Sequence, residues 1–289
     1  MFTLISHNNS QIPNPYIWLR TDHSASLILV NNTTCSRWND WRDGSSSGLT
    51  GSALQSPFYT ASGYIGKPAL RFVSSPVPIY SADYLQSEVN SKIHDFFSGS
   101  DGYTFAGAFY INNFSSSATL SAPFSNAADG TQNSGFRLTN LGVLTHRIFL
   151  TGSNGSLSSH TYNILTEQEI TSSTLIIAVG VFSGSVALRT PNTTGSGYRN
   201  VAASIYKNNS FTVGSVDNSR NSGLHTSSLV VTNNIIATYP CGPIRFGIQR
   251  LATSNFNQFD GEWFEFMAWP RPLSEPEMNA VRYYLERWK

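Results

Sequence analysis

The residues with the most evident chemical potential lie near the C-terminus, in the run Glu262-Trp263-Phe264-Glu265-Phe266. Paired carboxylates are the usual machinery of glycosidic-bond hydrolysis, one acting as acid and the other as base or nucleophile. On a strand the two must share a face, which requires even spacing because side chains alternate with period two. Glu262 and Glu265 are three apart, so a regular strand points them to opposite faces, and this spacing argues against catalysis by the pair. The six histidines (His7, His23, His94, His146, His160 and His225) are scattered, with no HExxH pair, and read as loop or surface residues rather than metal ligands. No Gly-x-Ser-x-Gly elbow and no phosphate-binding glycine loop occurs.

Binding chemistry has better candidates. Trp41, Tyr59 and Tyr64 fall in or beside polar loops. Sugar rings present apolar C–H faces to such side chains, while Asn, Ser and Asp bond the hydroxyls. For Trp41 the competing reading is a packing or protein-interface residue. Asp40 and Asp43, with nearby Ser and Asn, are the weak calcium candidates, supplying hard oxygens from an irregular loop. The reading that competes with calcium there is a pair of structural turn residues. No metal site and no cofactor besides calcium is expected.

These residues sit in a chain of 289 amino acids of which only 12% are charged. Soluble domains average roughly 25%. Ser, Asn and Thr instead contribute 42, 25 and 24 residues, so neutral hydroxyls and amides solvate the surface. The net charge of +1 leaves no basic field to gather phosphates, which excludes nucleic acid as an expected partner. Aromatics at 13% can build a large core, which argues against disorder. No apolar run approaches the roughly 20 residues that cross a bilayer, so no membrane insertion is expected. The N-terminal run from Met1 to His7 lacks the basic and apolar regions of a secretory signal. Cys35 and Cys241 read as two free structural thiols or as one disulfide.

Short apolar runs between Ser/Asn/Gly/Thr clusters predict an all-β fold. Tyr103–Ile111 and Leu175–Phe182 are apolar on both faces and read as central strands. Val143–Leu150, Ser228–Thr232 and Pro243–Ile248 are further strand candidates. Val201–Tyr206 and Ser210–Val213, separated by Asn208-Asn209, read as a hairpin. A loose helical period runs through Asp83–Phe97. A stronger helix begins after Ser274, where Glu277 completes a capping box and Pro276 falls in the first turn. Met278, Val281, Leu285 and Trp288 form its apolar stripe, which needs a surface to cover.

The segment from Phe259 to Trp288 resembles the closing signature of laminin-G-like, concanavalin A-like jelly-roll domains. That signature has a Phe-x-Gly turn (Phe259, Gly261), a strand with one inward Glu (Glu265) and an Arg-x-Leu-Ser turn (Arg271 to Ser274). A helix with a Tyr-Leu pair (Tyr284, Leu285) closes it. Ile17-Trp18-Leu19 is similar to the family's opening strand, Ser36–Asp40 to its Trp-x-Asp turn, Gly66–Phe72 to its Arg-Phe strand, and Tyr103–Ile111 to the central strand after it. One departure stands out: many relatives open Trp-Leu-Asp-Ala, whereas here Trp18-Leu19-Arg20-Thr21 puts Asp22 two positions late. The resemblance implies a two-sheet antiparallel jelly-roll sandwich with a C-terminal α-helix, residues 16–289, preceded by an arm or tether at 1–15. It makes Trp38 a core residue and Glu265 an acceptor of structural hydrogen bonds. It also implies glycan or protein binding rather than one activity. Jelly-roll glycoside hydrolases carry Glu-x-Asp-x-x-Glu, which this chain lacks.

Together these readings predict a non-enzymatic binding or assembly module on a virion surface, either a capsid decoration or a tail fibre/receptor-recognition protein. It would be made in the host cytoplasm without a signal peptide. Its expected partners are other virion proteins, a second copy of itself in a homo-oligomer, and host-surface glycan. The alternatives are a polysaccharide-active glycoside hydrolase of the jelly-roll class and a bacterial adhesin at the cell surface.

Overall fold

The computed structural model describes residues 12–42, 49–51, 56–73, 83–87, 102–113, 121–126, 135–138, 143–150, 160–169, 172–183, 202–207, 210–213, 244–250 and 256–289. The chain runs through β1 (Ile17–Arg20), β2 (Leu27–Val30), β3 (Thr34–Trp38), β4 (Leu49–Thr50), β5 (Phe58–Thr60), β6 (Ala69–Phe72) and β7 (Leu85–Ser87). It continues through β8 (Gly102–Asn113), β9 (Ser121–Asn126), β10 (Gly135–Leu138), β11 (Val143–Leu150), β12 (His160–Glu169) and β13 (Thr174–Ser183). Then come β14 (Ala202–Lys207), β15 (Ser210–Val213), β16 (Ile244–Phe246), β17 (Ile248–Arg250), β18 (Phe256–Gln258) and β19 (Asp260–Trp269). Helix α1 (Glu275–Leu285) and a 3-10 turn, Glu286–Trp288, end the described chain.

β8 organises the fold. It pairs antiparallel with β13 on one side and β19 on the other. β14 and β15 extend the sheet beyond β13. The far edge of β19 is shared by β1 and β6. From β6 the pairing passes through β5 to β3, which also holds β2 and β4. From β4 it continues through β7, β16, β9, β10 and β11 to β12. The result is one antiparallel sheet of 17 strands among the described residues, with β17 and β18 forming a separate pair. Its ends, β12 and β15, lie side by side, so the sheet nearly closes on itself. Two separate sheets were expected. The short strands β3, β4 and β5 connect the layers by hydrogen bonds, which makes the sheet continuous.

The unequal faces of β8 explain where the cores lie. Tyr103, Phe105, Phe109 and Ile111 point into the sheet's interior, against Phe124, Phe136, Phe246, Trp263 and Phe266. The opposite face carries the small Ala106 and Ala108, and Met278, Val281, Leu285 and Trp288 of the helical segment pack into the space they leave. Burying each of these four side chains is worth roughly 2 kcal/mol before entropy is subtracted. The Glu277 carboxylate accepts from the backbone N–H of Ser274 at 2.8 Å and from its hydroxyl at 2.9 Å, fixing the start of α1. Thr104 Oγ1 also receives the Leu273 N–H at 2.8 Å and donates to the Arg271 carbonyl, which holds the turn before the helix.

Two local expectations change. Leu85–Ser87 is a strand rather than part of a helix: Leu85 and Ser87 are buried and Gln86 is not, a period of two. The rest of the proposed helix beyond it lies outside the described residues, as do Ser228–Thr232 and Cys241. The expected strand Pro243–Ile248 is, over its described residues 244–248, split at Gly247, which has φ +88°, and a Cβ there would meet the Phe72 ring. Of the N-terminal arm, residues 12–15 pack on the outer sheet face, where Ile12 is buried and Trp269 donates to the Pro13 carbonyl.

Candidate functional site

Glu265, on the outer face, gathers donors from several elements. Its buried carboxylate accepts from Trp18 Nε1 at 2.5 Å, Trp288 Nε1 at 2.7 Å, Arg287 at 2.7 Å and the Tyr284 hydroxyl at 3.2 Å. These donors come from β1, α1 and the terminal turn. Burial and the neighbouring Glu265 charge push the Tyr284 hydroxyl well above its ordinary pKa, so it stays a donor. Arg287 continues to Asp22 at 3.1 Å, and Asp22 also holds Arg20 at 2.9 Å. The late Asp22 therefore belongs to an ion-pair chain above Glu265.

Glu262 lies on the same face as Glu265, which corrects the expectation of opposite faces. Trp263 is opposite Phe109 while Glu265 is opposite Ala108, leaving Phe264 as an extra residue. This β-bulge converts an odd spacing into a shared face. Glu262 is also buried and fully engaged. It receives Arg71 at 2.7 Å and the backbone N–H of Tyr64 at 2.8 Å. Tyr64 stacks on Tyr110 at 5.1 Å, and the Arg71 guanidinium lies 4.3 Å from its ring centroid. Both carboxylates thus tie elements together. Neither is open to a substrate oxygen as the chain stands.

Asp40 is buried and receives the Trp18 N–H at 3.0 Å and the Arg42 N–H at 3.0 Å. The Arg42 side chain clamps it from Nε and Nη2. The other Arg42 hydrogens go to Asn14 Oδ1, the Pro15 carbonyl and the Tyr16 carbonyl, so all of its donors are used. Asp40 is therefore the anchor of an arginine clamp rather than an open calcium ligand, and Asp43 lies outside the described residues. Among the described residues, no group of three or more His, Cys, Asp or Glu is placed to hold a metal.

This clamp shapes a groove of about 470 Å³, open to solvent and lined by Asn14, Pro15, Tyr16, Arg42, Trp269, Pro270 and Arg271. Tyr16 is 42% exposed. Arg271 bonds Glu277 from both terminal nitrogens, at 2.7 and 3.0 Å, and the Pro272 carbonyl at 3.4 Å. Its Nε–H and one terminal hydrogen remain for a ligand. Asn14 accepts from Arg42 through Oδ1, which leaves its Nδ2 hydrogens as donors. An aromatic ring, two prolines and outward N–H donors, with no carboxylate in the lining, suit an oxygen-rich ligand with an apolar face.

The residues singled out in the sequence have different settings. Trp38 is fully buried and donates to the Arg20 carbonyl. Trp41 is half-buried against Trp18 and His23, with Arg20 5.4 Å from its ring. Tyr59 packs on the interior cluster. Tyr64 keeps 43% exposure. Cys35 is a buried free thiol. Tyr16, Arg42 and Arg271 do not stand out in the sequence as site residues. The available signal was proline: Pro13 and Pro15 precede Tyr16, and Pro270 and Pro272 flank Arg271, stiffening both walls. Among the described residues no helix is long and apolar enough to cross a membrane.

No protein-family model and no curated protein matches the chain. Solved structures do. The chain is similar to Trypanosoma rangeli sialidase in complex with sialic acid, with TM-score 0.51 and 10% identity over 100% of this chain and 36% of that one. It is similar to a mutant of the same sialidase displaying trans-sialidase activity, with TM-score 0.51 and 10% identity over 97% and 34%. A third likeness is to that sialidase with 2,3-difluorosialic acid as a covalent intermediate, with TM-score 0.50 and 9% identity over 100% and 36%. The chain spans about a third of these sialidase chains, and at such identity the likeness is one of fold. It nevertheless corrects the expectation of a non-enzymatic chain. About a third of each of these solved enzymes shares the fold, so an all-β fold of this kind does not mark the chain as free of activity.

Proposed function

We propose that the chain is a carbohydrate-engaging β-domain of a glycan-processing protein, and that sugar enters the groove beside Tyr16. The carrying observation is the division of labour between two arginines. Arg42 spends every donor on shaping the wall, while Arg271 keeps donors facing solvent next to a half-exposed tyrosine. A pyranose would pack its C–H face on Tyr16, and Asn14 and Arg271 would donate to its hydroxyl or carboxylate oxygens. The fold likeness to a sialidase solved with sialic acid supports an acidic sugar as the first ligand to test. Tyr64 is proposed as an outlying contact through its exposed edge, with Trp41 and Tyr59 tested alongside. We read the continuous sheet as a jelly roll folded at β3–β5. A place on a particle exterior is in keeping with its neutral, hydroxyl-rich composition.

The reading is tested by titrating the full chain with 3′-sialyllactose, 6′-sialyllactose and lactose in a calorimeter, beside a glycan array. Binding that weakens in Tyr16→Ala and Arg271→Ala supports it. The hydrolase reading, favoured by the likeness to the covalent intermediate, is tested by turnover of a fluorogenic sialoside.

A further inference from the structure

The outer sheet face has two halves. One is covered by α1. The other is crossed by an in-register row, Val30, Thr34, Phe58, Arg71, Glu262 and Tyr110, each opposite the next on β2, β3, β5, β6, β19 and β8. Opposite residues of antiparallel neighbours share a face, so the row is one continuous line. Its charges, Arg71 and Glu262, cancel in their 2.7 Å ion pair. At the β2 end, Ile28 and Val30 are each 48% exposed and Phe58 is 47% exposed.

Among the described residues the row stops at an open edge, where β2 pairs only with β3. Monomeric proteins usually blunt such an edge with charge, proline or a bulge. Here the strand reads Leu27-Ile28-Leu29-Val30, with no charge and no proline. The register irregularity falls on β3 instead: Ile28 faces Arg37 and Leu29 faces Cys35, so Ser36 is the extra residue, and its hydroxyl donates to the Ile28 carbonyl.

We propose that β2 is the seam of a two-fold symmetric dimer, pairing antiparallel with β2 of a second copy. A second copy is the fitting occupant because an uncharged strand meets itself without opposing like charges, and an antiparallel edge is self-complementary. A sugar would leave the row of backbone donors and acceptors unpaired. Ile28 and Val30 point outward, whereas Leu29 leans on the interior cluster. Among the registers that keep each face consistent, the one centred on Leu29 matches the two exposed side chains to each other. It sets Ile28 opposite Val30 of the other copy, and Phe58 flanks the joined apolar strip.

Sedimentation velocity of the full chain from roughly 1 to 100 µM is expected to show a dimer forming through this small seam. Ile28→Lys alone and Val30→Glu alone each bury an unpaired charge and raise the dissociation constant at least about 100-fold. The double variant places each lysine against a glutamate across the axis and recovers dimerisation to within about 10-fold of the wild type. Because both side chains are half exposed in the monomer, thermal unfolding of the variants stays near that of the wild type at concentrations low enough for the wild type to be monomeric. A wild-type chain that remains monomeric across this range overturns the proposal. So do single variants that still dimerise, or a double variant that does not recover.

Discussion

Glu265 receives the indole N–H of Trp288 at 2.7 Å, although Trp288 lies on the terminal turn and Glu265 on the sheet. The same carboxylate receives Trp18, Tyr284 and Arg287, so one buried anion fastens β1, α1 and the terminal turn to β19.

Glu265→Gln keeps the volume but removes the charge that offsets Arg287, and it turns an N–H toward donors. The expected loss is about 2–3 kcal/mol, because the bonds of four donors weaken together and Arg287 is left with its longer ion pair to Asp22 alone. Trp288→Phe removes one bond and costs about 1–2 kcal/mol. Urea unfolding followed by tryptophan fluorescence measures both. Equal, small losses in the two variants would mean that Glu265 is not the fastening point.

Gly63 touches the second carboxylate. A Cβ there would run into the Glu262 carboxylate, which receives the neighbouring Tyr64 N–H. Gly63→Ala is expected to cost roughly 1–3 kcal/mol by displacing it. Gly66→Ala serves as a separate control, since its Cβ would meet nothing within 4 Å and only its φ of +72° is strained. Near-ultraviolet circular dichroism of the Tyr64–Tyr110 pair should change in the first variant and not in the second.

Asp83 gives the fold a pH slope. Burial pushes its carboxyl up to about 6, although the Val73 N–H bonds it at 3.0 Å. The folded state therefore holds its proton more tightly than the unfolded chain. The stability this provides is full below about pH 4 and is lost as pH rises through about 6. Glu277, held down to about 2 by the Arg271 guanidinium, acts in the opposite sense but only as pH falls toward 2. Melting temperature measured from pH 4 to 7 should decline more in the wild type than in Asp83→Asn. Parallel curves would contradict this.

Cys35 is fully buried and donates to the Arg37 carbonyl at 3.3 Å, and burial pushes its thiol up to about 12. Iodoacetamide at pH 8 should leave the Cys35 peptide unmodified in the native chain and alkylate it fully in guanidinium. Peptide mapping by mass spectrometry separates it from Cys241. Native labelling at the rate of free cysteine would contradict the burial.

What the sequence makes legible follows from local rules. The Ser274–Glu277 capping box, the stripe ending at Trp288 and the two-faced run at Tyr103–Ile111 can be read from periodicity and capping alone. The structural role of Glu265 was legible through family resemblance. The shared face of Glu262 and Glu265 was not, because the bulge at Phe264 exists only in the register with β8. The strand at Leu85–Ser87 was hidden because three residues cannot establish a period against a longer helical one. The groove was hidden for a different reason. Arg42 joins residues 14–16 to Asp40, a contact over more than twenty residues that no motif encodes.

Whether this domain engages carbohydrate in the groove beside Tyr16 is decided by calorimetric titration of wild type, Tyr16→Ala and Arg271→Ala with 3′-sialyllactose. The wild type is expected to bind saturably, and each variant about 10-fold or more weakly, as for losing a ring face or a charged donor of about 1.5 kcal/mol. Wild-type binding that both variants retain in full would place the site elsewhere, and no binding of this or any arrayed glycan would contradict the reading.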